Sequence, residues 1–223
     1  MLVCFAGTYL VSGLFVKSRL RTKRIRADLS SPQSSHVRPA LRFGGIGIVL
    51  GLVSALLIFS WSNSERQTYA YYLITLVPIF LISTLEDLGD EIRPWLRLVA
   101  ISLSGVLVMF FFDIRLMSVD LELIDKALLL IPISLVITIF AATGVTNSFN
   151  IIDGLNGLAS GFAMLCSFAL AYISSQTGLH GIGAALIVLE SAIAGFFLFN
   201  FPNGRLFLGD AGAYILEIGR AHV

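Results

Sequence analysis

The sequence predicts an all-α polytopic membrane protein with about seven transmembrane helices and the start of an eighth. Three observations predict it. Of 223 residues, 57% are hydrophobic and only 13% charged, with a mean hydropathy of +0.88. Apolar stretches near membrane-spanning length recur along the chain, and Lys and Arg gather in alternate connections between them. A soluble domain carries about a quarter charged residues, so this chain has too few to cover a water-facing surface. The net charge of +1 supplies no global field for nucleic acid, which is excluded as a partner.

A bilayer helix needs about 20 mainly apolar residues at about 1.5 Å each. The expected spans are 1–16, 43–61, 70–85, 97–112, 127–145, 157–174 and 182–199. The first has no basic residue before its apolar run and no small-x-small cleavage site. It is therefore an uncleaved helix rather than a signal peptide. Stretch 127–145 (ALLLIPISLVITIFAATGV) has no charge, and Pro78 and Pro132 are tolerated within spans as kinks. An eighth span starts at Ala211, but charge returns at Glu217 and Val223 follows within too few residues to cross. Residues 1–223 are expected to form one membrane-embedded domain, the front part of a longer protein, with 219–223 a non-native tail. Cys4 and Cys166 lie in apolar stretches without metal-ligand spacing.

Alternating helices divide the connections into two sets. Connections 17–42, 86–96, 146–156 and 200–210, with Arg97 at a helix mouth, hold eleven Lys and Arg. Connections 62–69, 113–126 and 175–181 hold three. The positive-inside rule makes the first set cytoplasmic. The run from Lys17 to Arg26 is expected to anchor the chain to anionic lipid.

That cytoplasmic set also holds the chemistry: HVRPALRFGG (36–45), LEDLGDEIRPWLR (85–97), NSFNIIDGLNG (147–157) and FNFPNGRLFLGDAG (199–212). Asp210 stands beside Gly209 at a helix start, placed either to hold Mg²⁺ with substrate phosphates or to cap the helix. If 147–157 is helical, Asn150, Asp153 and Asn156 or Gly157 share one face. Such a face suits a ribose, a base edge or a hydrated metal; the alternative is a polar helix cap. Glu86 and Asp87 end a span about 100° apart, so they can serve different partners, including Arg93 or Arg97. Asp90 and Glu91 read as solvated ends. Arg42 and then His36 are the candidate phosphate ligands, because arginine forks match phosphate geometry. Glu190, mid-span, is assigned no catalytic role.

These motifs resemble those of the polyprenyl-phosphate N-acetylhexosamine-1-phosphate transferases. HVRPALRFGG is similar to HxxPTPRxGG, with Ala40 and Leu41 in place of Thr-Pro. Glu86 and Asp87 take the places of an Asp pair. NSFNIIDGLNGLASG resembles NxxNxxDGxDGLA, with Asn156 where many members carry Asp. Asn200 and Asp210 reproduce the spacing of NxxxPxxxxxGD. The resemblance implies ten membrane helices with a cytoplasmic active site in a bacterial inner membrane. It also implies attack by a polyprenyl phosphate on a UDP-amino sugar, releasing UMP. Mg²⁺, or Mn²⁺ in its place, would be held by Asp210 with Asp153. Catalytic roles fall to Glu86, Asp87 and Asp153, and substrate binding to Arg42, Asn150, Asn156, Asn200 and His36. A homodimer is compatible with this picture.

Glu86 and Asn156 resemble the capsule, exopolysaccharide and O-antigen branch more than the peptidoglycan translocase, which remains the alternative. A late histidine-bearing loop of the family has no counterpart here, so the 223 residues alone are expected to be inactive. A secondary transporter would place its charges near the midplane and repeat itself internally, and a scaffold would not need four convergent loops.

Overall fold

The computed structural model describes residues 1–17, 41–58, 63–89, 91–153 and 155–218. His36, most of the basic run 17–26, Asp90 and the tail 219–223 lie outside the described residues. Among those described, nine helices occur: α1 (Leu2–Lys17), α2 (Gly44–Ile58), α3 (Asn63–Asp87), α4 (Pro94–Phe112), α5 (Glu122–Leu128), α6 (Ile131–Ile152), α7 (Leu158–Gln176), α8 (His180–Asn200) and α9 (Gly209–Ile218). The expected spans correspond in order to α1, α2, α3, α4, α6, α7 and α8. Five of these contain apolar stretches of 18 residues or more, long enough to cross a membrane, while α1 and α2 are shorter apolar helices. The protein is a polytopic membrane protein.

The helices read inside out relative to a soluble bundle. On α7 the buried residues are Ala159, Ser160, Ala163, Ser167, Ala171 and Ser174, all small. Phe162, Leu165, Phe168 and Tyr172 are exposed on the same helix. Lipid tails solvate large apolar side chains as well as a protein core does, so small residues go where backbones must approach. Large side chains do fill the centre. On α3, Tyr69, Tyr72, Leu76 and Ile79 recur at intervals of three and four, as do Leu189, Ile193 and Phe196 on α8, and all are buried in one core cluster. The Tyr69 hydroxyl donates to the Leu52 carbonyl of α2 at 2.9 Å, satisfying a polar group that would otherwise be costly at that depth.

Helix α8 packs on α7, α1 and α2, and α3 packs on α4 and α9. The short α9 also touches α2, α6 and α7. Every residue from Phe207 to Leu216 is buried, so the incipient eighth span occupies the middle of the bundle rather than its margin. Glu190 is half-buried in the middle of α8.

Two local expectations differ from the structure. The polarity of 146–156 predicts a connection, yet α6 continues through it to Ile152 and ends with Asp153 at its cap. Because the helix stops there, Asn156 does not continue the face that carries Asn150. The outer connection 113–126 contains most of α5, whose Glu122 and Lys126 pair at 2.7 Å one turn apart.

Candidate active site at the helix ends

At one end of the bundle the helix ends are laced together by backbone hydrogen bonds. The chain entering α2 runs beside the chain entering α9, with a parallel bridge between Leu41 and Leu206. Phe207 N–H donates to the Leu41 carbonyl at 2.8 Å, and Gly44 and Gly45 N–H donate to the Phe207 and Leu208 carbonyls at 2.9 Å. Gly45 permits this closeness: a Cβ there would lie 2.7 Å from the Gly212 Cα. Residues more than 160 positions apart thus form one backbone frame, in which Leu41, Phe207 and Leu208 carbonyls each take an N–H from the other segment.

Arg42 stands in this frame. Its Nη2 lies 3.2 Å from Asp210 Oδ2, and its Nε lies 3.8 Å from Asp87 Oδ1. The arginine side chain is 37% exposed, whereas those of Asp87 and Asp210 are 1% and 8% exposed. Burial works against the guanidinium charge, but Asp210, Asp87, Asp153 and Glu86 together hold its pKa above the ordinary value. All four acidic residues selected from the sequence therefore lie within electrostatic reach of one cation.

Each carboxylate has a different environment. Asp210 Oδ1 accepts a hydrogen bond from Asn150 Nδ2 at 2.8 Å, and the same amide nitrogen lies 3.1 Å from the Tyr214 hydroxyl. Asp87 accepts from the backbone N–H of Asp210 at 2.9 Å and of Ala211 at 3.0 Å. Glu86 Oε1 pairs with Arg97 Nη1 at 2.9 Å, and its buried Oε2 has no hydrogen-bond partner among the described residues. Asp153, half-buried at the cap of α6, is pushed up to about 8 by burial, with Arg42 opposing and Asp210 and Asp87 adding to the rise.

The amides divide. Asn150 belongs to the cluster. Asn156 sends Nδ2 to the Pro202 carbonyl at 3.1 Å and keeps a buried Oδ1 without a partner among the described residues. Asn200 is 3% exposed. Its Oδ1 accepts from Gly157 N–H at 2.6 Å and from the Ser160 hydroxyl at 3.4 Å, and its Nδ2 donates to the Leu206 carbonyl at 3.0 Å. In place of a free ligand, Asn200 presents an amide already committed to joining α8, α7 and the loop before α9. Tyr214 was not selected from the sequence, although its place one turn after Asp210 on α9 was the signal available.

The donor set suits a hard cation. Carboxylate and amide oxygens are what Mg²⁺ takes, and it commonly binds one or two carboxylates and completes its shell with water and substrate phosphates. Among the described residues no group of three His, Cys, Asp or Glu side chains could hold an ion alone.

The sequence is similar to those of several known proteins. The chain is 28% identical over 209 residues to a Bacillus subtilis protein named probable undecaprenyl-phosphate N-acetylglucosaminyl 1-phosphate transferase, covering 90% of this chain and 55% of that protein. It is 25% identical over 190 residues to the phospho-N-acetylmuramoyl-pentapeptide-transferase of Lactobacillus helveticus, covering 81% and 58%. It is also 25% identical over 207 residues to the undecaprenyl-phosphate alpha-N-acetylglucosaminyl 1-phosphate transferase of Yersinia pestis, covering 91% and 56%. The chain thus spans about half the length of these curated relatives. The model of glycosyl transferase family 4 matches residues 69–220, which include the acidic pair, the Asn150–Asn156 segment and the start of α9. By that match the chain belongs to glycosyl transferase family 4.

Proposed function

We propose that the protein transfers an N-acetylaminosugar 1-phosphate from a UDP-sugar to a polyprenyl phosphate at the cytoplasmic membrane face, releasing UMP. The observation that carries this reading is the meeting of four connections at one end of the bundle, with Arg42, Asp87, Asn150 and Asp210 in direct contact. The names of the relatives support the same reaction class. Departures at Glu86 and Asn156 favour initiation of capsule, O-antigen or exopolysaccharide synthesis.

In this reaction a lipid phosphate oxygen forms a bond to the sugar-linked phosphorus while the bond to the UMP oxygen breaks. Bound Mg²⁺ would supply charge neutralisation across the diphosphate, held by Asp210 with Asp153. Arg42, exposed enough to meet a ligand, offers a fork for a phosphate. Glu86, paired with Arg97 at the same end of α3, places a carboxylate and a guanidinium beside the cluster, on the side from which the lipid phosphate would enter. Asn150 keeps the Asp210 carboxylate oriented, and Asn156 ties the turn after α6 to the Pro202 carbonyl of the loop before α9. Phosphoryl transfer asks a protein for position and charge more than for covalent chemistry.

The test is UMP release from a panel of UDP-amino sugars by membranes containing the complete gene product and polyprenyl phosphate. Asp210→Asn is expected to lower turnover at least about a hundredfold, within the range for losing a charge-stabilising group, while inserting normally. Turnover within threefold of wild type would overturn the assignment of Asp210.

A further inference from the structure

The acidic pair at the end of α3 divides its labour. The first N–H groups of an α-helix have no partner inside the helix and must find one elsewhere. In α9 these include the groups of Asp210 and Ala211. No side chain next to α9 in sequence caps it, because Asp210 turns its carboxylate toward Asn150 and Arg42. Asp87, more than 120 residues earlier, fills that place: Oδ1 takes the Asp210 N–H at 2.9 Å and Oδ2 the Ala211 N–H at 3.0 Å. Each of its oxygens is engaged, and its side chain is 1% exposed. Gly209 makes the approach possible. It has φ +74°, and a Cβ there would lie 2.6 Å from Asp87 Oδ2 and against the Arg42 carbonyl.

From this geometry we infer that Asp87 is a positioning residue, a long-range cap that fixes the start of α9 and thereby aims the Asp210 carboxylate, and that it does not itself touch substrate. Glu86, one residue away, pairs with Arg97 and keeps a buried Oε2 without a partner among the described residues, so it is the member of the pair that is not spent on the start of α9 and can rearrange toward a ligand. The second half of the inference rests on the proposed transferase reading; the cap itself does not.

A helix start held this way should behave unlike an ordinary one. In the complete membrane protein without divalent cation, amide hydrogen exchange at residues 210 and 211 should be slowed at least about tenfold relative to a solvent-exposed first turn. Fast exchange in wild type would overturn the cap without any substitution. Asp87→Asn keeps the shape but turns an N–H₂ toward one of the two donors, so exchange there should rise at least about tenfold, while Glu86→Gln leaves it unchanged. In the transfer assay, Asp87→Asn should weaken apparent Mg²⁺ affinity about tenfold with the KM for polyprenyl phosphate unchanged. A raised lipid KM with unaltered amide exchange would instead place Asp87 on the substrate and end the proposal. If neither protein turns over any UDP-sugar, the exchange measurement still decides the cap and the failure belongs to the transferase reading alone.

Discussion

Arg42 offers the clearest balance of forces at a single side chain. It faces Asp87 and Asp210 directly and lies within the field of Asp153 and Glu86. Removing one partner of a buried ion pair costs about 3–5 kcal/mol, because the other charge is stranded. Here the arginine is over a third exposed, so solvent screens the loss and about 1–2 kcal/mol is expected for Arg42→Ala. Thermal unfolding in detergent would measure it. Asp210→Asn in the same chain should recover part of the loss, since it removes one of the stranded charges. A strictly additive pair of effects would show that the two side chains do not depend on each other. Arg42→Lys keeps the charge but cannot span two carboxylates with one fork, and should fall between wild type and alanine.

The acidic and amide residues of this cluster were legible in the sequence because membrane chains place charge sparingly, so a carboxylate beside glycines at a helix end stands out. The division of roles among them was not. Whether Asp210 caps its own helix or serves a ligand depends on what reaches the two N–H groups above it, and that group is Asp87, brought in from α3. Asn200 shows the same limit. Its spacing from Asp210 marked it, but only the fold reveals that its amide is spent on Gly157, Ser160 and Leu206.

At the scale of elements, Asn200 is the joint between α8, the start of α7 and the loop leading to α9. Three hydrogen bonds converge on one buried amide, and one of them, from Ser160, is long. A net hydrogen bond contributes about 1 kcal/mol, and stranding a buried N–H or carbonyl costs about 1–3 kcal/mol. Asn200→Ala is therefore expected to destabilise the protein by about 2–3 kcal/mol, read as a lowered melting temperature. Asn200→Asp should not rescue it, because a carboxylate oxygen would then face the Leu206 carbonyl. Stability unchanged by either substitution would mean that the loop is held by its backbone pairing with residues 41–45 alone. Helix boundaries were the less legible part at this scale. The amphipathic end of α6 reads as a connection by polarity, yet its backbone bonds continue to Ile152 because Asn150 is held in place by α9.

For the whole molecule, the arrangement turns on sidedness. The carboxyl ends of α1, α3, α6 and α8 and the amino ends of α2, α4, α7 and α9 belong to one side by alternation. Contacts across that side join residues 41 to 206, 87 to 210, 150 to 210 and 157 to 200. Helix packing brings these ends together but does not say which leaflet they face; that comes from the Lys and Arg asymmetry, eleven against three. The two arguments are independent, so orientation can be tested by itself. Glu91 and Asn203 are exposed on the side of the cluster, and Asp120 is exposed on the other. With Cys4 and Cys166 replaced, a cysteine at 91 or 203 should react with a membrane-impermeant maleimide at least about ten times faster in inverted vesicles than in right-side-out ones. A cysteine at 120 should show the reverse preference. If 91 and 203 react only from outside, the cluster faces away from any cytoplasmic nucleotide sugar, and the proposed reaction fails on topology even with every contact around Arg42 intact. If 91 and 120 react from the same side, the alternation itself is wrong and α4 does not cross the bilayer.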